Sequence, residues 1–167
     1  LLRTHGIERS KEKLEHNGFG EWYYEMHALG FNYRLTDIQA ALGLSQLKRL
    51  KSNLESRQVI ADKYFSGLSE VVEMKSPPSG FSHAYHLFVV ESEHRDLLYK
   101  KLREEKIYCQ IHYIPIYRQP YYQKLRVYKT FVNAEKYFSR CLSLPMYHSL
   151  GDEQVDDVIK SVRGNCV

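Results

Sequence analysis

From residue 38 onward apolar positions recur at helical spacing. Ile38, Ala41 and Leu42 are followed by Leu47, Leu50 and Leu54, then by Ala61, Tyr64, Phe65 and Leu68, with Lys48, Arg49, Lys51, Glu55 and Arg57 between them. Ahead of this run, Thr36-Asp37-Ile38-Gln39 has the form of a capping box, in which the Thr hydroxyl takes a first-turn amide while Gln reaches back to the cap. The pattern predicts one long helix over 36–68, with room for a single break near 51–53. Pro77-Pro78-Ser79-Gly80 is the clearest turn in the chain. Beyond it, His86-Leu87-Phe88-Val89-Val90-Glu91 predicts a short buried strand, and Leu97, Leu98 and Leu102 predict a helix over 93–105. Residues 107–114 alternate. Ile107, Cys109, Ile111 and Tyr113 share one face and Tyr108, Gln110, His112 and Ile114 the other, which predicts a second strand with a polar side. Phe131, Ala134, Tyr137, Phe138 and Cys141 predict a short amphipathic helix. Val155, Val158, Ile159 and Val162 predict a terminal one behind Asp152 and Glu153, acids that suit a first turn.

This order of helix, strand, helix, strand, helix, helix predicts an α/β or α+β fold with few strands. Residues 1–35 lack such periodicity: a polar stretch from Glu8 to Asn17, then Gly18, Phe19 and Gly20, then Trp22, Tyr23 and Tyr24, reads as a surface excursion. The organisation expected is therefore an excursion over 1–35, a long helical region over 36–76 and a small α/β domain over 77–167.

Composition narrows the class. With 167 residues, 43% of them hydrophobic and 26% charged, the chain is long enough for a real core and is neither disordered nor fibrous. No apolar run reaches the roughly 18 residues of a membrane span, and the N-terminus has no signal-peptide pattern, so a cytoplasmic location is expected. The first residue is Leu, which suggests a sequence that starts inside a longer one. Cys109, Cys141 and Cys166, an odd number at wide spacing, argue against a disulfide framework and read as small core or tail residues.

The net charge of +4 is unevenly spread. Between 93 and 140, eleven Lys and Arg face five acids, a local field suited to an anionic partner, although individual charges are equally read as solvated helix surface. Walker A, dinucleotide, HExxH, GxSxG and CxxC patterns are absent. Cys109 and His112 stand at metal-ligand spacing, but on one strand they point to opposite faces, so no metal is expected.

Two segments carry candidate chemistry. From His112 to Tyr128 the chain is dense in rings and hydrogen-bonding heads, and Pro115 and Pro120 forbid a regular helix or central strand there, so it reads as a loop leaving a strand end. Tyrosines with Arg, Gln and His suit a sugar or nucleotide pocket, and equally a single-stranded nucleic-acid platform or the rim of a half-exposed core. The second segment, Gly30-Phe31-Asn32-Tyr33-Arg34-Leu35, places Asn32 and Arg34 beside a helix N-terminus, where an anion is favoured. The plainer readings are a left-handed turn residue for Asn32 and a surface ion pair for Arg34.

These residues carry a resemblance. Arg3-Thr4-His5-Gly6, the stretch from Gly30 to Gly43 with Gln46-Leu47, Tyr85-His86-Leu87, His112-Tyr113-Ile114-Pro115, Pro120-Tyr121-Tyr122, Leu142-Ser143-Leu144-Pro145-Met146 and Asp152-Glu153-Gln154 follow the order found in one family. The sequence resembles the DegT/DnrJ/EryC1/StrS family of pyridoxal phosphate (PLP) dependent sugar aminotransferases. The resemblance implies the C-terminal portion of a fold type I enzyme: the end of a large domain, a long interdomain helix and a small α/β domain. It implies PLP as cofactor, glutamate as amino donor, a UDP-linked 4-keto-6-deoxy sugar aminated at C4 as substrate, a role in pseudoaminic acid or related surface-glycan synthesis, and a homodimer with shared active sites. Carried over by position, Asn32 and Arg34 are expected to hold the PLP phosphate of a neighbouring subunit, and His112, Tyr113, Tyr117, Arg118, Gln119 and Tyr122 to meet the nucleotide sugar. The family's Schiff-base lysine stands in a Ser-Phe-x-x-x-Lys context that no lysine here shares, so no catalytic residue is expected in this chain and it is expected to be inactive alone. The competing classes are a non-catalytic nucleotide-sugar-binding or dimerisation module and, more remotely, a single-stranded nucleic-acid binder.

Overall fold

A computed structural model describes residues 1–16, 18, 20–125 and 131–166; the sequence readings at Asn17, Phe19, Arg126, Tyr128 and Lys129 lie outside them. The chain divides into two units, 1–49 and 50–167. One helix, α1 (Asp37–Leu68), contributes to both.

In the first unit β1 (Ile7–Glu8) and β2 (Glu25–Met26) pair antiparallel, Ile7 opposite Met26 and Glu8 opposite Glu25. Two-residue strands are too short to leave a period in the sequence, which is why only an excursion was legible there. A second antiparallel contact is the Thr4–Asn32 bridge, flanked by bonds from His5 N to Phe31 O at 2.8 Å, Phe31 N to Leu2 O at 2.7 Å and Tyr33 N to Arg3 O at 2.9 Å. The backbones approach so closely that glycine is required. A Cβ on Gly6, whose φ is +71°, would stand 1.7 Å from the Ala28 carbonyl oxygen, and one on Gly30 2.1 Å from Gly6 N.

The capping box forms as the sequence predicts: Gln39 N donates to Thr36 Oγ1 at 3.3 Å and Thr36 N to Gln39 Oε1 at 3.0 Å. No break occurs at 51–53, and α1 runs unbroken to Leu68. Its apolar residues are not equally used. Ile60, Ala61, Tyr64 and Leu68 are buried, whereas Ile38, Leu42, Leu47 and Leu50 are exposed.

In the second unit β3 (Glu73–Met74), β4 (Phe88–Glu91) and β5 (Cys141–Leu144) form an antiparallel sheet in that order, with Met74 opposite Val90, Phe88 opposite Leu144 and Glu91 opposite Cys141. The fold is thus of the mixed helix-and-sheet kind expected. α2 (Arg95–Glu104) packs on β5 and on α5 (Asp152–Asn165), and α4 (Val132–Arg140) packs on β4. Leu98 and Leu102 of α2, Val90 and Leu142 of the sheet, and Val155 and Val162 of α5 are fully buried together with Tyr64 and Leu68. The Tyr64 hydroxyl donates to the Pro145 carbonyl at 2.9 Å, so this interior ring leaves no polar atom orphaned.

Two sequence expectations are corrected here. The helix expected to run through Cys141 stops at Arg140, and Cys141 turns to extended backbone (φ −71°, ψ 138°) to begin β5. All four β5 residues are buried, so the strand shows no alternation, and its apolar residues continue the helical spacing of α4. The strand expected over 107–114 does not form a ladder. α2 ends through Lys106 at φ +64°, with Ile107 N bonded to Leu102 O at 2.8 Å, and only Gln110 then pairs, in an isolated bridge to Ser143. Cys109 faces in and Tyr108 out, but Tyr113, expected on the same face as Cys109, is 70% exposed.

Candidate functional site

The predicted residues fall in two places, one in each unit. In the first unit the Thr4–Asn32 bridge sets Asn32 on extended backbone. Among the described non-glycine residues only His5, Tyr85 and Lys106 have positive φ, so Asn32 is not a left-handed turn residue. Its neighbours Phe31 and Tyr33 stack their rings at 4.9 Å. At the start of α1 the capping box takes Thr36 N and Gln39 N, and Asp37 adds a negative charge. The cap thus leaves fewer helix amides for an anion. What remains are the side chains of Asn32 and Arg34, both exposed, with no hydrogen-bond or ion-pair partner among the described residues. Neutral and cationic N–H donors left uncommitted are what an anionic oxygen takes.

In the second unit the segment from His112 to Tyr122 rests on β5 and α4. His112 Nδ1 lies 2.8 Å from the Ser143 hydroxyl of β5, and the Cys141 thiol lies 3.8 Å from the His112 carbonyl oxygen. Tyr113 sets its ring edge-on to His112 at 4.6 Å and is otherwise in solvent. Ile116–Arg118 is a 3-10 turn, and Pro120–Lys124 is a short helix, α3. The sequence expectation that proline excludes helix is corrected: Pro120 stands at the first helical position, where its missing N–H is no loss. Gln119 precedes it on extended backbone, its amide bonded to Ile116 O at 3.1 Å. Tyr122 is half-exposed, its ring edge-on to Tyr121 at 5.3 Å.

Tyr117 and Arg118 are held by one carboxylate. Glu135 of α4 accepts from the Tyr117 hydroxyl at 2.8 Å and from Arg118 Nε at 3.0 Å, and its second oxygen accepts from the other Arg118 nitrogen. Arg118 also lies over the Phe138 ring at 5.2 Å, and Tyr117 beside Phe131 at 5.3 Å. Burial pushes the Tyr117 phenol above its ordinary range, and the Glu135 carboxylate adds to the shift. Sequence reasoning missed both anchors. In the sequence Glu135 is one acid among five and Ser143 one position of the Leu142–Met146 motif; no local signal shows what either touches.

Several Lys and Arg of 93–140 are engaged in contacts of this kind. Arg95 pairs with Asp96 at 2.7 Å, Arg140 with Glu73 at 2.8 Å, and Lys101 with Glu104 at 3.2 Å. No three His, Cys, Asp or Glu side chains are grouped to hold a metal among the described residues, and burial pushes the Cys109 and Cys141 thiols up. A cavity of about 870 Å³ opens between 105–108, 145–150 and α5, and it is lined by none of the predicted site residues. Among the described residues no helix is long and apolar enough to cross a membrane.

Comparison with known proteins adds the wider context. The model of the DegT/DnrJ/EryC1/StrS aminotransferase family matches residues 1–163. The spore coat polysaccharide biosynthesis protein SpsC of Bacillus subtilis is 37% identical over 174 residues, covering 98% of this chain and 44% of its own. The UDP-4-amino-4,6-dideoxy-N-acetyl-beta-L-altrosamine transaminase of Campylobacter jejuni is 32% identical over 157 residues, covering 90% of this chain and 39% of its own. Among solved structures, an aminotransferase of that family from Brucella abortus matches with a TM-score of 0.77 at 35% identity, over 88% of this chain and 40% of the other. Helicobacter pylori PseC, an aminotransferase involved in the biosynthesis of pseudoaminic acid, matches with a TM-score of 0.78 at 27% identity, over 99% and 44%. This chain spans less than half the length of these relatives.

Proposed function

This chain belongs to the DegT/DnrJ/EryC1/StrS aminotransferase family, and on that premise we propose that it is the C-terminal portion of a PLP-dependent enzyme that moves an amino group from glutamate to C4 of a UDP-linked 4-keto-6-deoxy sugar. The observation that carries the reading is the family match over 1–163, within which the segment from His112 to Tyr122 forms one ring-rich surface anchored on β5 and α4.

PLP, when bound, supplies the electron sink that makes amino transfer possible. The donor chemistry of the first unit fits its phosphate: the Asn32 amide and the Arg34 guanidinium are uncommitted, and the Gly6–Gly30 contact fixes the backbone that carries Asn32. On the family pattern these two side chains serve a neighbouring subunit, so the proposed assembly is a homodimer. In the second unit His112, Tyr113, Gln119 and Tyr122 offer rings and polar heads to the nucleotide sugar. Tyr117 and Arg118, both tied to Glu135, form a stiff part of that surface, and Arg118 brings little free charge to it. No lysine here has the Ser-Phe-x-x-x-Lys context, and on this reading the chain does not transaminate alone.

Titration of the chain with UDP-N-acetylhexosamine, followed by NMR, tests the reading. Shifts concentrated at His112 and at 117–122 are expected; a spectrum unmoved at those positions at saturating ligand overturns the sugar-site assignment.

A further inference from the structure

β5 lies at one side of the sheet, and beyond it the chain is pinned by Gln110, whose N and O bond to Ser143 O and N at 3.1 and 2.8 Å. Two residues on, the His112 ring meets the Ser143 side chain. Ser143 is only 4% exposed, and its hydroxyl has one partner among the described residues, His112 Nδ1 at 2.8 Å. That isolation decides the direction of the bond. A buried O–H needs an acceptor, and the one in reach is the lone pair of the ring nitrogen. Were Nδ1 to carry the proton, the ring would donate to the hydroxyl oxygen and the hydroxyl proton would be left buried without an acceptor.

We propose that Ser143 is a positioning residue for His112: its hydroxyl donates to Nδ1, holds the neutral ring as the Nε2–H tautomer and aims that N–H outward as a hydrogen-bond donor. The inference rests on the sugar-site reading above and deepens it. It identifies the ligand group that His112 takes as an acceptor oxygen, phosphoryl or carbonyl, of a nucleotide-linked sugar. The other ring nitrogen sets the tautomer, as is general for histidine. Nε2 has no partner among the described residues, and the half-buried ring is steadied by the Tyr113 edge at 4.6 Å and by the Cys141 thiol on its own carbonyl. Ser143 touches no ligand itself. It acts through His112.

The test uses the whole chain, uniformly ¹⁵N-labelled, above the ordinary histidine titration range. In the wild type the His112 ring correlations are expected to show only Nε2–H, with the Ser143 hydroxyl proton slowed in exchange and coupled to Nδ1. A proton on Nδ1, or a freely exchanging Ser143 hydroxyl, overturns the proposal without any variant. In Ser143→Ala the second tautomer and rotamer averaging are expected at His112, with affinity for UDP-N-acetylhexosamine about tenfold weaker, as the loss of one oriented hydrogen bond implies. Ser143→Thr, which keeps the hydroxyl, is expected to restore the single tautomer. Unchanged amide shifts over β4 separate these effects from unfolding, and an unaltered His112 ring in Ser143→Ala overturns the proposal. If the tautomer behaves as stated but UDP-N-acetylhexosamine moves nothing at His112, the positioning stands and the sugar-site reading falls.

Discussion

The Tyr117 hydroxyl donates to Glu135 Oε1 at 2.8 Å, a bond between a 3-10 turn and a helix eighteen residues further on. The same carboxylate grips the Arg118 guanidinium, so one acid of α4 fixes two adjacent side chains of the proposed sugar surface.

Replacing Glu135 by Gln removes the charge but little volume. Burial holds the Tyr117 phenol above its ordinary value first, and the Glu135 carboxylate second. The expected outcome is a phenol that moves part of the way back toward its ordinary value, read from the Tyr117 Cζ shift in an NMR pH titration, together with faster exchange of the Arg118 Nε proton. A phenol that titrates where it does in the wild type would mean that burial alone sets it.

A pH effect is expected in the first unit. Burial acts to raise the Glu25 carboxyl, but hydrogen bonds from the His27 ring, the Glu15 and His16 amides and the His16 ring outweigh it and hold it at about 2. The His27 ring is raised in turn, chiefly by its 2.6 Å bond to Glu25. A depressed carboxyl stabilises above its unfolded value of 4.5 and loses that contribution as pH falls toward about 2. A raised imidazole contributes fully below its unfolded value of 6.5 and loses that as pH rises past its folded value. The tether of 15–16 to β2 is thus strongest between these two limits. Protection of the Glu15 and His16 amides, corrected for intrinsic exchange, should peak there and lose that peak in Glu25→Gln; a flat wild-type profile would refute it.

Gly30→Ala should break the corner that carries Asn32. The added Cβ would meet backbone, Gly6 N at 2.1 Å and Leu2 O at 2.8 Å, and not a side chain that can swing away. Exchange of the Phe31 and Tyr33 amides is expected to accelerate more than about tenfold, equivalent to over 1.4 kcal/mol of lost local stability, while β4 amides stay protected. Equal protection of Phe31 in both proteins would contradict the close approach.

Core energetics separate two residues. Leu102→Ala removes a fully buried side chain between α2 and its neighbours and should cost about 2–5 kcal/mol. Tyr64→Phe keeps the ring and loses only the bond to Pro145 O, so a cost of about 1–2 kcal/mol is expected. Urea unfolding followed by circular dichroism ranks them, and a Tyr64→Phe loss as large as that of Leu102→Ala would show that the hydroxyl does more than satisfy one carbonyl.

Much of the architecture was legible from local chemistry. The capping box at Thr36 and Gln39, the helical spacing to Leu68, the strand ending at Glu91 and the acidic first turn of α5 are signals written within a few residues, and each element forms where its signal lies. Short pieces escaped because they leave no period. β1 and β2 hold two residues each, and β5 follows α4 without a linker and is buried on both faces. The expected strand over 107–114 failed for the converse reason: alternation describes which face a side chain prefers, but a strand also needs a partner, and along this stretch only Gln110 finds one.

By itself, then, the sequence determined the long helix α1, the helices α2 and α5, the fold class and the family, since spacing, caps and motif order are properties of neighbouring residues. It also pointed to Asn32, Arg34 and the segment from His112 to Tyr122. Only the tertiary structure decided how those residues are held. That the motif at Gly6 lies against the motif at Gly30, that Glu135 takes both Tyr117 and Arg118, and that the buried Ser143 hydroxyl meets the His112 ring are contacts between residues about seventeen to thirty apart. Such pairings cost loop-closure entropy that only the packed chain repays, so no local pattern records them.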